Sequence, residues 1–294
     1  MEKEIKQFIN YLTYERNYSE NTIINYNQEL KKYLNYLKEK KINYQIITKD
    51  EIRSYLKYLD DLKFKNSSIS RNVSAIRTFY NYLVQKEKLT SNIWNNIKNP
   101  KVKRKIPNFL TTLELEAIFE NRDLETPYEI RNRLILELLF ATGLRVSELI
   151  NIKINDITQS ERSIRTLGKG AKERIVYYGE YAEEILELYL KTSRKDLLGQ
   201  RKSEYLLVGK NSIQLTRNRI SEILEEEVKK IGLKHHISPH TLRHTFATSL
   251  LNSGADIRSV QELLGHENLS TTQIYTHITN EQLRKSYRDN MPRK

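Results

Sequence analysis

The chain has 294 residues, with 50 lysines and arginines against 37 acidic residues and a formal net charge of +13. That length suits two ordinary domains, and the charge favours a polyanionic partner, nucleic acid before an anionic membrane. There is no cysteine, which excludes disulfide frameworks, cysteine-ligated zinc and thiol nucleophiles, and no apolar run approaches the ~18 residues of a membrane span, so a cytoplasmic protein off the membrane is expected.

In chain order, the first segment reads as four helices. Ile5, Phe8, Ile9 and Leu12 follow helical spacing, and Ile23, Tyr26, Leu30, Tyr33, Leu34 and Leu37 form a second stripe behind Ser19 as N-cap. Thr48 and Glu51 have capping-box spacing ahead of Ile52, Tyr55, Leu56 and Leu59, and Ser68 precedes Ile69, Val73, Ile76, Tyr80 and Leu83. Residues 1–105 hold 22 basic and 11 acidic residues, so most of the excess charge sits here. A domain over 1–98 is expected. Residues 99–109, with Pro100, Pro107 and a run of lysine and arginine between them, read as a basic linker, either merely solvated or tracking a phosphate backbone.

A second domain is expected over 110–294, mainly helical with a small sheet. It opens with a Thr111/Glu114 capping box, and Ser163–Leu167 and Glu173–Tyr178 read as two strands around the turn Gly168-Lys-Gly-Ala-Lys172. The apolar helix Leu134–Phe140 stops at Gly143, and Arg145 opens a new turn, where free backbone N–H groups make a ready anion site; a salt bridge from Arg145 to Glu148 is the plainer alternative. The glycine-flanked Lys169 lacks the rest of a nucleotide-binding loop and reads as a hairpin tip.

Further on, Pro239 can start a helix carrying His240 and Arg243 on one face. Zinc held by His240 and His244 is disfavoured, because position 241 holds threonine where the metalloprotease pattern needs glutamate, so His244 reads as a buried helix residue. His266 follows the helix-ending Gly265, and Tyr275 lies nine residues beyond it, in a short helix expected to start near Ser270. The 19 tyrosines carry no weight as a group.

Together these residues make a chemistry. Attack on a phosphodiester builds charge on the non-bridging oxygens, and two permanently charged, two-pronged guanidiniums, Arg145 and Arg243, suit it without a metal. A tyrosine with a pKa near 10 is about one-thousandth ionised at neutral pH, so Tyr275 needs a base or a cationic field, which His240 and His266 can supply. The leaving oxygen needs a proton, and Lys169 can give one.

Four stretches carry a resemblance: Ala141-Thr-Gly-Leu-Arg-Val-Ser-Glu-Leu149, Gly168-Lys-Gly-Ala-Lys-Glu-Arg174, Ser238-Pro-His-Thr-Leu-Arg-His-Thr-Phe-Ala-Thr248, and Leu263-Leu-Gly-His266 leading to Ser270-Thr-Thr-Gln-Ile-Tyr-Thr-His277. In this order and spacing the chain resembles the tyrosine recombinase (phage integrase) family over essentially its whole length, most closely the XerC/XerD branch. The resemblance implies a SAM-like helical core-binding domain and a catalytic domain that together form a C-shaped DNA clamp. The implied catalytic set is Arg145, Lys169, His240, Arg243, His266 and the nucleophile Tyr275, with Lys172 as alternative to Lys169 and with neither metal nor cofactor. It further implies a 3′-phosphotyrosyl intermediate, a Holliday junction, and a tetramer on double-stranded DNA, homomeric or shared with a paralogue. An FtsK-type translocase is a candidate activator.

The tail after Asn280 is implied to dock on a neighbouring protomer. Where Xer-like sequences often have Val-Pro, this chain has Val176-Tyr177, so a local difference at that strand end is expected. The expected role is resolution of chromosome or plasmid dimers. An integrase of a mobile element shares every catalytic residue, and a non-catalytic DNA-binding protein and a type IB topoisomerase are the remaining alternatives.

Overall fold

The computed structural model describes residues 1–101, 109–119, 124–168, 173–233, 237–265 and 279–293. Contacts divide the chain into two units, Met1–Lys105 and Ile106–Lys294. The expected linker straddles this division, and most of it lies outside the described residues.

The first unit holds α1 (Glu2–Asn10), which runs on through a wide turn at Tyr11–Glu15, then α2 (Glu20–Glu39), α3 (Lys49–Asp61) and α4 (Asn66–Gln85). Thr48 caps α3 as expected: its hydroxyl accepts from the Glu51 N–H while the Glu51 carboxylate accepts from the Thr48 N–H. Ser19 stands at the start of α2, but its hydroxyl pairs with that of Thr22 instead of a backbone N–H. Helix α4 begins two residues before Ser68, with Lys65 at the N-cap; the Phe64 N–H closes on the Leu59 carbonyl and delivers the chain into α4 ahead of that serine.

Tertiary packing gives the tyrosines their place. Tyr33, Tyr55 and Tyr80 surround Trp94, which a short 3-10 turn (Ile93–Asn96) inserts into the core. All four are at most 1% exposed, and burial on this scale requires each phenol to find a partner. Tyr80 donates to the Tyr44 carbonyl and Tyr55 to Asn72 Oδ1. Asn72 passes the chain of bonds to the buried Glu29.

The second unit holds α5 (Thr112–Phe119), α6 (Pro127–Thr142), α7 (Val146–Leu149), a sheet of β1 (Ile157–Thr158), β2 (Ser163–Leu167) and β3 (Glu173–Tyr177), then α8 (Glu180–Leu188), α9 (Arg194–Leu198), α10 (Arg217–Lys230), α11 (Pro239–Asn252), α12 (Ile257–Leu264) and α13 (Asn280–Asn290). The sheet is antiparallel in the order β1-β2-β3, with Ser163 opposite Tyr177 and Leu167 opposite Glu173. The expected hairpin is present; β1 is additional. Helix α6 is buried on nearly every side, with Leu134, Ile135, Leu138 and Leu139 at 0% exposure, and α8, α10 and α11 pack around it. Both units are mainly helical, as expected, and the sheet belongs to the second.

Helix α13 packs on its own unit. Leu283, Tyr287 and Met291 are buried there, and Arg293 bonds the buried Glu137 at 2.8 and 3.2 Å. Tyr177 donates to the Asn280 carbonyl at 3.1 Å and packs on Tyr287. A proline at this position could not make that bond.

Candidate active site

The site is assembled where α6, α11 and α12 end or begin. Helix α6 stops at Gly143, whose φ of +60° is left-handed and whose place admits no side chain: a Cβ there would stand 2.4 Å from the Phe246 ring. Glycine is therefore needed twice over. The chain turns through the buried Leu144 into Arg145, the N-cap of α7.

Arg145 does both things expected of it as alternatives: it opens a helix and bonds Glu148. Its N–H donates to Glu148 Oε2 and its Nη1 to Oε1, each at 2.8 Å, while Nη2 reaches the Gly265 carbonyl at 3.0 Å. Arg243, from α11, is 8% exposed. Its Nη1 donates to the Gly143 carbonyl at 2.5 Å and its Nη2 to the Leu264 carbonyl at 2.6 Å. The ends of α6 and α12, far apart in the sequence, are thereby pinned together by one side chain. Burial, then repulsion from Arg145, lowers the Arg243 pKa to about 10 despite the pull of Glu148, so it is fully charged at neutral pH.

Ser238 and Pro239 start α11 as expected, the serine hydroxyl accepting from the Thr241 N–H. His240 is exposed on the first turn, one turn before Arg243. His244 is only half-buried, a correction to its expected burial, because its ring meets Phe109 edge-on near the surface. Gly265 ends α12 in the left-handed region, φ +64°, as its sequence position implies. Lys169, Lys172, His266 and Tyr275 lie outside the described residues, as does the helix expected from Ser270.

One member of the network was not anticipated. Arg174, on β3, grips Glu148 with both prongs, Nη1 to Oε1 at 2.9 Å and Nη2 to Oε2 at 2.8 Å. Burial would raise the Glu148 pKa, but the bonds from Arg174 and from Arg145 outweigh it and hold the carboxylate below its usual range. Arg174 also lies against Gly265, where a Cβ would meet its guanidinium at 3.1–3.2 Å. The signal in the sequence was its place in the Gly168–Arg174 stretch; its partner lies 26 positions away. Three guanidiniums around one carboxylate leave two net positive charges in a largely desolvated place, an arrangement suited to an anionic tetrahedral group.

The chain matches the family model for the phage integrase family over residues 108–282 and that for the phage integrase N-terminal SAM-like domain over residues 5–87. It is 41% identical over 292 residues to a protein of Bacillus subtilis strain 168 named tyrosine recombinase XerC, covering 98% of this chain and 96% of that one. Among solved structures it is similar to XerH site-specific recombinase bound to palindromic difH substrate in a post-cleavage complex, with 26% identity, a TM-score of 0.71, and 92% of this chain and 80% of that one covered. It shares a fold with a lambda integrase tetramer bound to a Holliday junction, at 20% identity and a TM-score of 0.69, covering 93% of this chain and 80% of that one.

Proposed function

Because the chain belongs to the phage integrase family of tyrosine recombinases, on its XerC branch, we propose that it cuts and rejoins DNA through Tyr275, with Arg145, Lys169, His240, Arg243 and His266 as its catalytic partners. It is a Xer-type site-specific DNA recombinase. The Tyr275 hydroxyl attacks the scissile phosphorus, forming the phosphotyrosyl bond as the bond to the 5′ oxygen breaks. His240 and His266 take up or share the phenolic proton, and Lys169 protonates the departing oxygen. Arg145 and Arg243 hold the non-bridging oxygens as their charge grows. The free 5′-hydroxyl of a partner strand then attacks the phosphotyrosine in the reverse sense. The bond energy stays in the covalent link throughout.

The observation that supports this best is the meeting of Arg145 and Arg243 at the mouth of Gly265, the residue before His266. Arginines from α7 and α11 bond consecutive carbonyls, Gly265 and Leu264, at the end of α12, so the stretch leading to His266 and Tyr275 starts against both cations.

The enzyme's substrate in this reading is a double-stranded recombination site bound by four protomers, either identical or shared with a paralogue, with an FtsK-type translocase as activator. The task is resolution of chromosome or plasmid dimers in the cytoplasm, supported by similarity to a XerC over nearly the full chain. No helix among the described residues is long and apolar enough to cross a membrane. A nicked suicide substrate carrying the site should trap a covalent adduct on a denaturing gel with wild type, undiminished by chelator, and none with Tyr275→Phe. As much adduct from Tyr275→Phe would overturn the assignment.

A further inference from the structure

A carboxylate offers about four lone-pair positions, and all four on Glu148 are filled. Oε1 accepts from Arg145 Nη1 and Arg174 Nη1, and Oε2 from the Arg145 N–H and Arg174 Nη2, at 2.8–2.9 Å. Glu148 is 5% exposed, so water does little to dilute its charge. Facing Arg145 alone, such a carboxylate would fix that guanidinium in place and at the same time cancel its charge and repel an incoming phosphate. Orientation and charge would then be in conflict at one side chain.

We infer that Arg174 resolves this conflict and is a positioning residue for the recombination reaction: it takes the negative charge of Glu148 onto itself, so that Glu148 orients Arg145 without neutralising it. The inference rests on the proposed catalytic assignment of Arg145. Arg174 has the geometry for the role. It comes from β3, bonds Glu148 with both prongs, and has a side chain only 14% exposed. Its guanidinium also backs onto Gly265, whose carbonyl accepts from Arg145 Nη2. Glu148 and Gly265 are thus each touched by Arg174 on one side and Arg145 on the other. Because β3 is paired with β2 and begins four positions after Lys169 in the sequence, the same side chain ties that strand pair to the arginine pair.

The role makes a prediction that a plain structural salt bridge does not. If Arg174 acts by offsetting Glu148, its loss should be repaired by removing the charge of Glu148 as well. Single-turnover cleavage of the suicide substrate, at saturating full-length protein, is measured for Arg174→Gln, Arg174→Lys, Glu148→Gln and the double variant Arg174→Gln/Glu148→Gln, with DNA affinity measured separately. Arg174→Gln is expected to cleave about 100-fold more slowly, on the scale of losing one transition-state donor, with affinity within about threefold of wild type. Arg174→Lys, which keeps charge and loses the fork, should be intermediate. The double variant should cleave about tenfold faster than Arg174→Gln.

A double variant no faster than Arg174→Gln, or an Arg174→Gln within threefold of wild type, overturns the inference. Should Arg174→Gln fail to fold, Arg174→Lys decides: a rate within threefold of wild type overturns the inference, and a larger loss at unchanged affinity supports it. Arg145→Ala run alongside separates the premises. If it cleaves like wild type, the assignment of Arg145 fails; if it is inactive while Arg174→Gln is unaffected, only the role of Arg174 fails.

Discussion

Glu29 in the first unit and Glu148 in the second are both 5% exposed, both bonded to arginine, and both held below the usual carboxylate range. Their surroundings differ in where the cations stand. Glu29 is held from inside by Asn72 and from outside by Lys32 and Arg71, whose side chains are 33% and 60% exposed. Glu148 is held by Arg174 and Arg145, 14% and 32% exposed, with Arg243 beside them. In the first unit solvent screens the positive partners, and the cluster serves packing. In the second, Arg174 and Arg243 are withdrawn from solvent and Arg145 only partly so, and together these cations outnumber the carboxylate, an excess that costs stability and suits an arriving anion.

The largest expected effect tests that contrast directly. Arg243→Ala and Arg145→Ala should each slow single-turnover cleavage by about 100- to 1000-fold, while Arg71→Ala stays within about twofold at saturating protein; a comparable loss from Arg71→Ala would erase the distinction. Next in size is stability. Glu148→Ala strands the buried Arg174 guanidinium and should cost about 3 kcal/mol in calorimetric unfolding, and Glu29→Ala, whose cations can turn to water, about 1–2 kcal/mol. If Glu29→Ala also stopped cleavage as completely, the first cluster would need a part in the chemistry.

Acid should weaken both units. Each carboxylate has a lowered pKa in the folded chain, so its contribution is complete above the unfolded value of about 4.3 and fades as pH falls through the folded value. Glu29→Gln and Glu148→Gln should each flatten the fall in melting temperature below about pH 4.5, and an unchanged acid limb would argue against the bonds described. The smallest effect is Tyr177→Phe, which removes one bond to the Asn280 carbonyl and should loosen α13 by about 1 kcal/mol. Hydrogen exchange over Asn280–Asn290 reads it.

Much of this was legible in the sequence because it is local. The stop at Gly143, the Ser238-Pro239 start, the Thr48 and Thr111 caps and the β2–β3 hairpin each depend on residues a few positions apart. Strand β1, two residues long, is too short to show a period. The Lys65 start of α4 escaped because the turn before it, not a polar capping side chain, sets the boundary. Arg174 and Glu148 escaped as a pair because nothing local brings β3 to α7; only the folded sheet does. Docking of α13 on its own unit was hidden for a similar reason, since Tyr177 and Asn280 are 103 positions apart.

The sequence has a single tryptophan, and the fold sets it in the first unit, fully enclosed and ringed by Tyr33, Tyr55 and Tyr80. Indole fluorescence therefore watches one half of the molecule, with neighbouring phenols feeding it energy, whereas circular dichroism sums both halves. A denaturation curve recorded both ways on the unlabelled protein separates the melting of the half that holds Trp94 from that of the half that holds Arg145 and Arg243. Disagreement between the two curves would be a direct measure of how independently the halves unfold.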